Sequence, residues 1–145
     1  MMIGRAEIAT MIPHAGAMCL LDGVLRWDQS SIRCVSARHR AEDNPLRRAG
    51  RLNAICGIEF AAQAMAVHGR LSGGVARRPR AGYLASLRDL KCGRQRLDLL
   101  EPDLIISADL LMGDEQRVIY HFTLDCAGDE VLSGRAAVVL EVAPE

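Results

Sequence analysis

Two polar side chains interrupt the most apolar run of the chain. Glu59 and Gln63 stand four residues apart in the stretch from Leu52 to His68, a spacing that puts both on one face of a helix. A carboxylate among so many apolar neighbours must be tied down or employed, because burying it unpaired costs on the order of a few kcal/mol. Two readings stay open at this point: an edge acid hydrogen-bonded by Gln63 or an arginine, and an acid that does chemistry. A second chemical group is His14, which directly follows Pro13. The small residues after it, Ala15, Gly16 and Ala17, let the backbone pass close to something else.

These groups need a frame. In the helical run, Ile55, Ile58, Ala62, Met65 and Ala66 recur at helical spacing while Phe60, Ala61, Ala64 and Val67 cover most of the remaining circumference, which predicts a helix surrounded by protein from about Leu52 to Leu71. Ser72-Gly73-Gly74 stops it, and a basic connection follows, ending around Pro79 and Arg80. Before the helix, Leu20 to Trp27 and Ser31 to Arg40 read as two strands, then Ala41 to Arg51 as a polar loop. After it, Ala81 to Lys91 reads as a less regular strand. Three clear alternations follow: Leu104, Ile106, Ala108, Leu110 and Met112; Val118, Tyr120, Phe122, Leu124 and Cys126; Leu132, Ala136, Val138, Leu140 and Val142. Short polar turns join them, so they form an antiparallel meander with one buried face. The fold class is α+β, and an antiparallel sheet curled round its one long helix is the hot-dog arrangement.

The chain has 145 residues, half of them apolar, which fits a single domain over residues 1–145 with its own core. The 18 basic and 18 acidic side chains cancel, an argument against a nucleic-acid binder. The charges are nevertheless segregated: Arg70 to Arg96 is basic with only Asp89 opposing, and the remainder after Leu97 is acidic. Five widely spaced cysteines without a Cys-x-x-Cys pair suit reduced, buried thiols in a cytoplasmic protein. His39 near Cys34 and His121 near Cys126 lack zinc-site spacing, so no metal is expected. No apolar run is long enough to span a bilayer, and the N-terminus is no convincing signal peptide.

The motif Ile12-Pro13-His14 followed by Leu20-Leu21-Asp22, together with Gly57-Ile58-Glu59-Phe60-Ala61-Ala62-Gln63-Ala64, resembles the hot-dog 3-hydroxyacyl-carrier-protein dehydratases of the FabZ and FabA type. With Arg80-Ala81-Gly82-Tyr83-Leu84 the resemblance is closest to the dehydratases of aryl polyene gene clusters (ApeP-like). It implies that His14 is the base for the α-proton and Glu59 the acid for the departing hydroxyl. An imidazole near its ordinary pKa can serve as a base at neutral pH, and desolvation on an apolar helix favours a carboxyl that can donate. Backbone N–H groups around Ala54, at the helix start, would receive the charge on the thioester oxygen. Gly57 would let substrate approach the helix or would simply be a packing glycine. Gln63 would orient Glu59 or hold the loop.

The resemblance further implies no cofactor, a homodimer whose sites are shared between subunits, and an acyl carrier protein presenting the substrate on its phosphopantetheine arm. Arg77, Arg78, Arg80, Arg88 and Arg94 are candidates for docking that acidic partner. This chain departs from the family where small residues follow the histidine and where Asn53-Ala54 replaces a Pro-Gly before the helix. A hot-dog thioesterase and a non-catalytic acyl-binding partner subunit are the alternatives.

Overall fold

The computed structural model describes residues 2–12, 16–73, 81–114 and 116–141. Seven antiparallel strands form one sheet: β1 (Ile3–Gly4), β2 (Gly23–Trp27), β3 (Ser31–Ser36), β4 (Ala81–Cys92), β5 (Leu104–Gly113), β6 (Arg117–Cys126) and β7 (Asp129–Glu141), in the order β1-β2-β3-β5-β6-β7-β4. A single turn of helix, α1 (Arg5–Ile8), follows β1, and the long helix α2 (Gly57–Ser72) lies between β3 and β4. This is the hot-dog fold, α+β, with α2 packed on the inner face of β3, β5 and β6.

Alternation builds the core. Leu104, Ile106 and Ala108 of β5, Tyr120, Phe122, Leu124 and Cys126 of β6 and Leu132 and Ala136 of β7 are buried, and they meet Phe60, Ala61, Ala64, Met65 and Val67 of α2. Each fully buried Phe or Leu contributes on the order of 1.5–3 kcal/mol by removal from water. The pattern fails at one place for a local reason. The pairing of β5 with β6 shifts between Leu110 and Met112, so Met112 leaves the core side and is 63% exposed. β4 is longer than its irregular sequence suggests, because two register shifts against β7 absorb the irregularity; it forms the edge opposite β1.

The helix departs from expectation at its start and over its circumference. Residues 52–56 are not α-helical: Asn53 caps a turn of 3-10 helix at Ala54–Cys56, and α2 begins only at Gly57. Nor is α2 enclosed. The sheet covers Phe60, Ala61, Ala64, Met65, Val67 and His68, whereas Glu59, Ala66 and Gly69 are exposed and Ile58 and Ala62 half-buried. One curved sheet covers one side of a helix, and this chain supplies nothing among its described residues for the other.

Buried polar groups tie the outer elements to α2. His68 is fully buried; its Nδ1 lies 2.6 Å from the Tyr120 hydroxyl and its Nε2 2.9 Å from the Asp28 carbonyl. A neutral imidazole fits both, with Nε2–H donating to the carbonyl and Nδ1 accepting from the hydroxyl. His39 is also buried, and its Nε2–H donates to the Leu100 carbonyl at 2.9 Å.

Burial lowers the pKa of both histidines below the ordinary 6.5. The unfolded chain therefore binds more protons than the folded one as pH falls below about 6.5, and stability declines there. The melting temperature is expected to drop between pH 7 and pH 5, and His68→Gln should lower it at pH 7 while flattening that drop. An unchanged pH slope in the variant would exclude His68 as a source. A second prediction concerns the β6–β7 turn, where Ala127 and Gly128 have φ of 51° and 85°. Such a turn prefers asparagine at its first position, so Ala127→Asn should raise the urea midpoint, by about 0.5–1 kcal/mol of stability.

Candidate functional site

The site is built around the start of α2, which a second segment clamps. The Asp98 carboxylate accepts the Leu52 N–H at 2.9 Å and two bonds from the Arg96 guanidinium. With a side chain only 6% exposed, this carboxyl is held well below the usual carboxylate range by Arg96. Leu97 N–H donates to the Leu52 carbonyl at 2.8 Å, and Asn53 bridges Arg96. The strand-like pairing fixes the direction in which the following helix leaves.

The same pairing spends the donors expected to be available around Ala54. Ala54 N–H donates to the Gln95 carbonyl at 2.9 Å, Ile55 N–H to the Asn53 side chain at 3.0 Å and Cys56 N–H to the Asn53 carbonyl at 3.0 Å. Ala54 is also buried, at 1% exposure. In this chain these N–H groups maintain the helix start, and none of the three is an idle oxyanion donor. Gly57 likewise has a packing role: a Cβ there would lie 2.8 Å from both Leu124 and Leu132. It faces the sheet, so it lets β6 and β7 close on the helix.

Glu59 lies in the first turn of α2 on its uncovered side and is exposed. Ile55, at 44% exposure, and Ala62 and Ala66 share that side. The carboxylate therefore sits in an apolar surround that is open to water, a different situation from the buried acid that the composition of the helix suggests. Gln63, one turn on, is 2% exposed. Its Oε1 accepts the Leu20 N–H at 2.8 Å and its Nε2 donates to the Met18 carbonyl at 2.7 Å. Of the two tasks open to it, the described contacts assign Gln63 to holding the loop, with no hydrogen bond to Glu59 among them.

That loop is the stem that leaves the Pro13-His14 pair, and other elements grip it as well. Arg5 of α1 donates to the carbonyls of Gly16 at 3.1 Å and Leu21 at 3.3 Å. Ser36 of β3 donates to the Leu20 carbonyl at 2.5 Å, and Asp22 accepts the Ala37 N–H at 2.6 Å while Arg38 stands 3.3 Å from its carboxylate. Pro13 and His14 themselves lie outside the described residues. Sequence reasoning missed Arg5, Ser36 and the Arg96–Asp98 clamp, since no local signal announces a side chain that bonds to backbone many residues away.

Of the docking candidates, Arg77, Arg78 and Arg80 fall outside the described residues. Arg94 is paired with Asp129 at 3.4 Å, and Arg88 is exposed in register with Arg135. An open cleft of about 630 Å³ adjoins the loop stem, lined by Arg5, Gly16, Ala17, Cys19, Arg38 and Asn44 among others. Among the described residues, no group of three His, Cys, Asp or Glu side chains is placed to hold a metal ion, and no helix is long and apolar enough to cross a membrane. All five cysteines are free; Cys19, Cys34 and Cys126 are buried, Cys56 is half-buried and Cys92 is exposed, against the expectation of burial throughout. Burial pushes the Cys34 thiol up to about 12.

Solved structures of similar shape span dehydratases and thioesterases. The dehydratase heterocomplex ApeI:P from Xenorhabdus doucetiae is matched at 22% identity with a TM-score of 0.78, over 92% of this chain and 90% of that one. A mutant thioesterase PA1618 from Pseudomonas aeruginosa is matched at 11% identity and a TM-score of 0.68, over 99% and 97% of the two chains. Thioesterase HI1161 from Haemophilus influenzae gives 7% and 0.69, over 100% and 95%. At these identities the likeness establishes the fold alone. A comparison with curated proteins finds no match. The family model described as ApeP dehydratase, ApeP-like, matches residues 6–143. With almost the whole length matched, the chain belongs to the ApeP-like family of dehydratases.

Proposed function

We propose that this protein dehydrates 3-hydroxyacyl thioesters, carried by an acyl carrier protein, to trans-2-enoyl thioesters in aryl polyene or fatty-acid-like biosynthesis. The observation that carries the reading is the amide of Gln63, which fastens the stem of the Pro13-His14 loop to the helix that presents Glu59. His14 takes the proton from C2, the electrons of that bond form the C2–C3 double bond, and the C3–O bond breaks. Glu59 protonates the departing hydroxyl, which leaves as water. Proton return from the imidazolium to the carboxylate, directly or through solvent, restores both groups, so the cycle consumes no cofactor.

Assembly is part of this reading. The open side of α2 carries Ile55, Ala62 and Ala66 around Glu59, and β4 is a sheet edge with Leu84 and Leu90 exposed at 44% and 38%. A second copy laid on that side would cover the apolar surface and withdraw water from the carboxyl, the condition that favours a proton-donating acid. It would also bring its own loop, giving a homodimer with shared sites. The relative described as a dehydratase heterocomplex points to a non-identical partner as the other occupant. Five free thiols suit the reducing cytoplasm.

Incubation with a 3-hydroxyacyl carrier protein should give an enoyl thioester, read by mass analysis as the loss of one water. Free acid would instead identify a thioesterase, and unchanged substrate a non-catalytic subunit. His14→Ala and Glu59→Gln should each lower kcat by about two orders of magnitude or more, the usual scale for a lost general acid or base. Mixing the two inactive variants should restore part of the activity if each site draws on two subunits. Full activity in either single variant would overturn the residue roles.

A further inference from the structure

The loop between β3 and α2 ends in a feature that the elimination does not use. Residues 48–51 form a miniature two-residue hairpin: Arg48 N–H donates to the Arg51 carbonyl at 2.8 Å and Arg51 N–H to the Arg48 carbonyl at 2.9 Å. Its two central residues, Ala49 and Gly50, have φ of 51° and 75°. Glycine adopts that conformation freely, but Ala49 does so against its Cβ. The flanking Arg47 is consumed by the architecture, donating to the carbonyls of His39, Ala41 and Gly50. Arg48 and Arg51 stay exposed, and neither forms an ion pair with a carboxylate among the described residues.

Two features here oppose folding. Like charges directly opposite one another in an antiparallel pair repel, and a β-carbon in the left-handed region is strained. A turn that keeps both sets Arg48 and Arg51 opposite one another, and a negatively charged partner would relieve the repulsion.

Position selects these two arginines over the others. Arg5, Arg38, Arg40, Arg94 and Arg96 are already paired with aspartates. Arg26, Arg33, Arg88, Arg117 and Arg135 are exposed residues of the strands. Arg33 stands between the buried Ile32 and Cys34, and Arg135 between the buried Gly134 and Ala136, so both point to the outer face of the sheet, opposite to α2. Arg48 and Arg51 instead lie in the segment that leads into α2, 11 and 8 residues before Glu59, and the Cys56 thiol at the start of that helix lies 4.0 Å from the Leu46 carbonyl of the same segment. The N-terminal end of α2 adds positive potential there.

We propose that the Arg48–Arg51 hairpin is the docking point for the acidic surface of the acyl carrier protein, a surface distinct from the arginines of the connection after α2. The proposal rests on the carrier-linked substrate of the reading above, and the test separates the two. Titration of the protein with a fatty-acid-type holo acyl carrier protein at low salt should give a Kd that rises about tenfold in the Arg48→Gln/Arg51→Gln double variant, a difference that fades as salt screens the charges. The control Arg33→Gln/Arg135→Gln, on the outer face, should leave the Kd unchanged. In parallel, kcat/KM for a 3-hydroxyacyl carrier protein should fall about tenfold relative to kcat/KM for the matching N-acetylcysteamine thioester, which has no carrier. An unchanged Kd in the hairpin variant, or an equal loss in the control, overturns the docking proposal even if the small thioester is dehydrated. Selective loss of carrier binding supports it even if neither substrate is turned over, an outcome that would overturn the catalytic reading alone.

Discussion

A curved sheet can cover one side of a helix, and α2 is apolar on more than one side. The face bearing Phe60, Ala61, Ala64 and Val67 is matched by the alternating residues of β3, β5 and β6, and these side chains are at zero exposure. The other face, with Ala62 and Ala66 beside Glu59 and the exposed Ile55 in the turn before it, has no such cover among the described residues. Stability of the single chain and placement of its one helical acid thus come from opposite faces of the same helix. The sheet side can be satisfied within 145 residues; the Glu59 side needs material from outside the described chain to become dry.

The second dependence runs through Gln63. Its position between the two faces lets a side-chain amide bond the backbone of the 18–20 segment from both its oxygen and its nitrogen. A loop held only by its ends would be free to shift, whereas this one is gripped from α1 by Arg5, from α2 by Gln63 and from β3 by Ser36. Each buried bond contributes only about 0.5–1.5 kcal/mol, but several directed at six consecutive residues fix one conformation. Small residues at 16 and 17 then carry little cost in order, because the stem that contains them is held by others.

How much of this is legible in the sequence follows from the range of each interaction. Alternation in β5, β6 and β7 reports local geometry, and it located three strands and their buried face; the turn at Ala127-Gly128 was equally visible. A bulge is not visible in that way, so Met112 was assigned inward although the register shift turns it out. Helical spacing found α2 but began it five residues early, because Asn53 and the 95–98 segment hold residues 52–56 in a pairing that no 3.6-residue period predicts. Apolarity predicted a helix enclosed on all sides, which confuses the demand of the side chains for cover with a supply from the same chain. Helical spacing puts Glu59 and Gln63 one turn apart, yet their environments differ, one exposed and one buried. The N–H of Ala54 was read as facing a ligand, whereas a distant carbonyl, Gln95, occupies it, and of the two readings of Gly57 the packing one is what Leu124 and Leu132 of the sheet fit.

The burial of an acid sets its chemistry, so the exposure of Glu59 bears directly on what the protein can do alone. A general acid must hold its proton until the leaving group departs, and removal from water is what favours the neutral form of a carboxyl. The residues around it supply an apolar surround but no lid. A subunit that covered Ile55, Ala62 and Ala66 would complete two things in one step: it would remove apolar surface from water, which drives association, and it would dehydrate the acid, which readies it to donate. The free energy of assembly and the drying of the Glu59 carboxyl would then be drawn from the same contact surface, and substitutions of the small residues Ala62 or Ala66 would disturb both together.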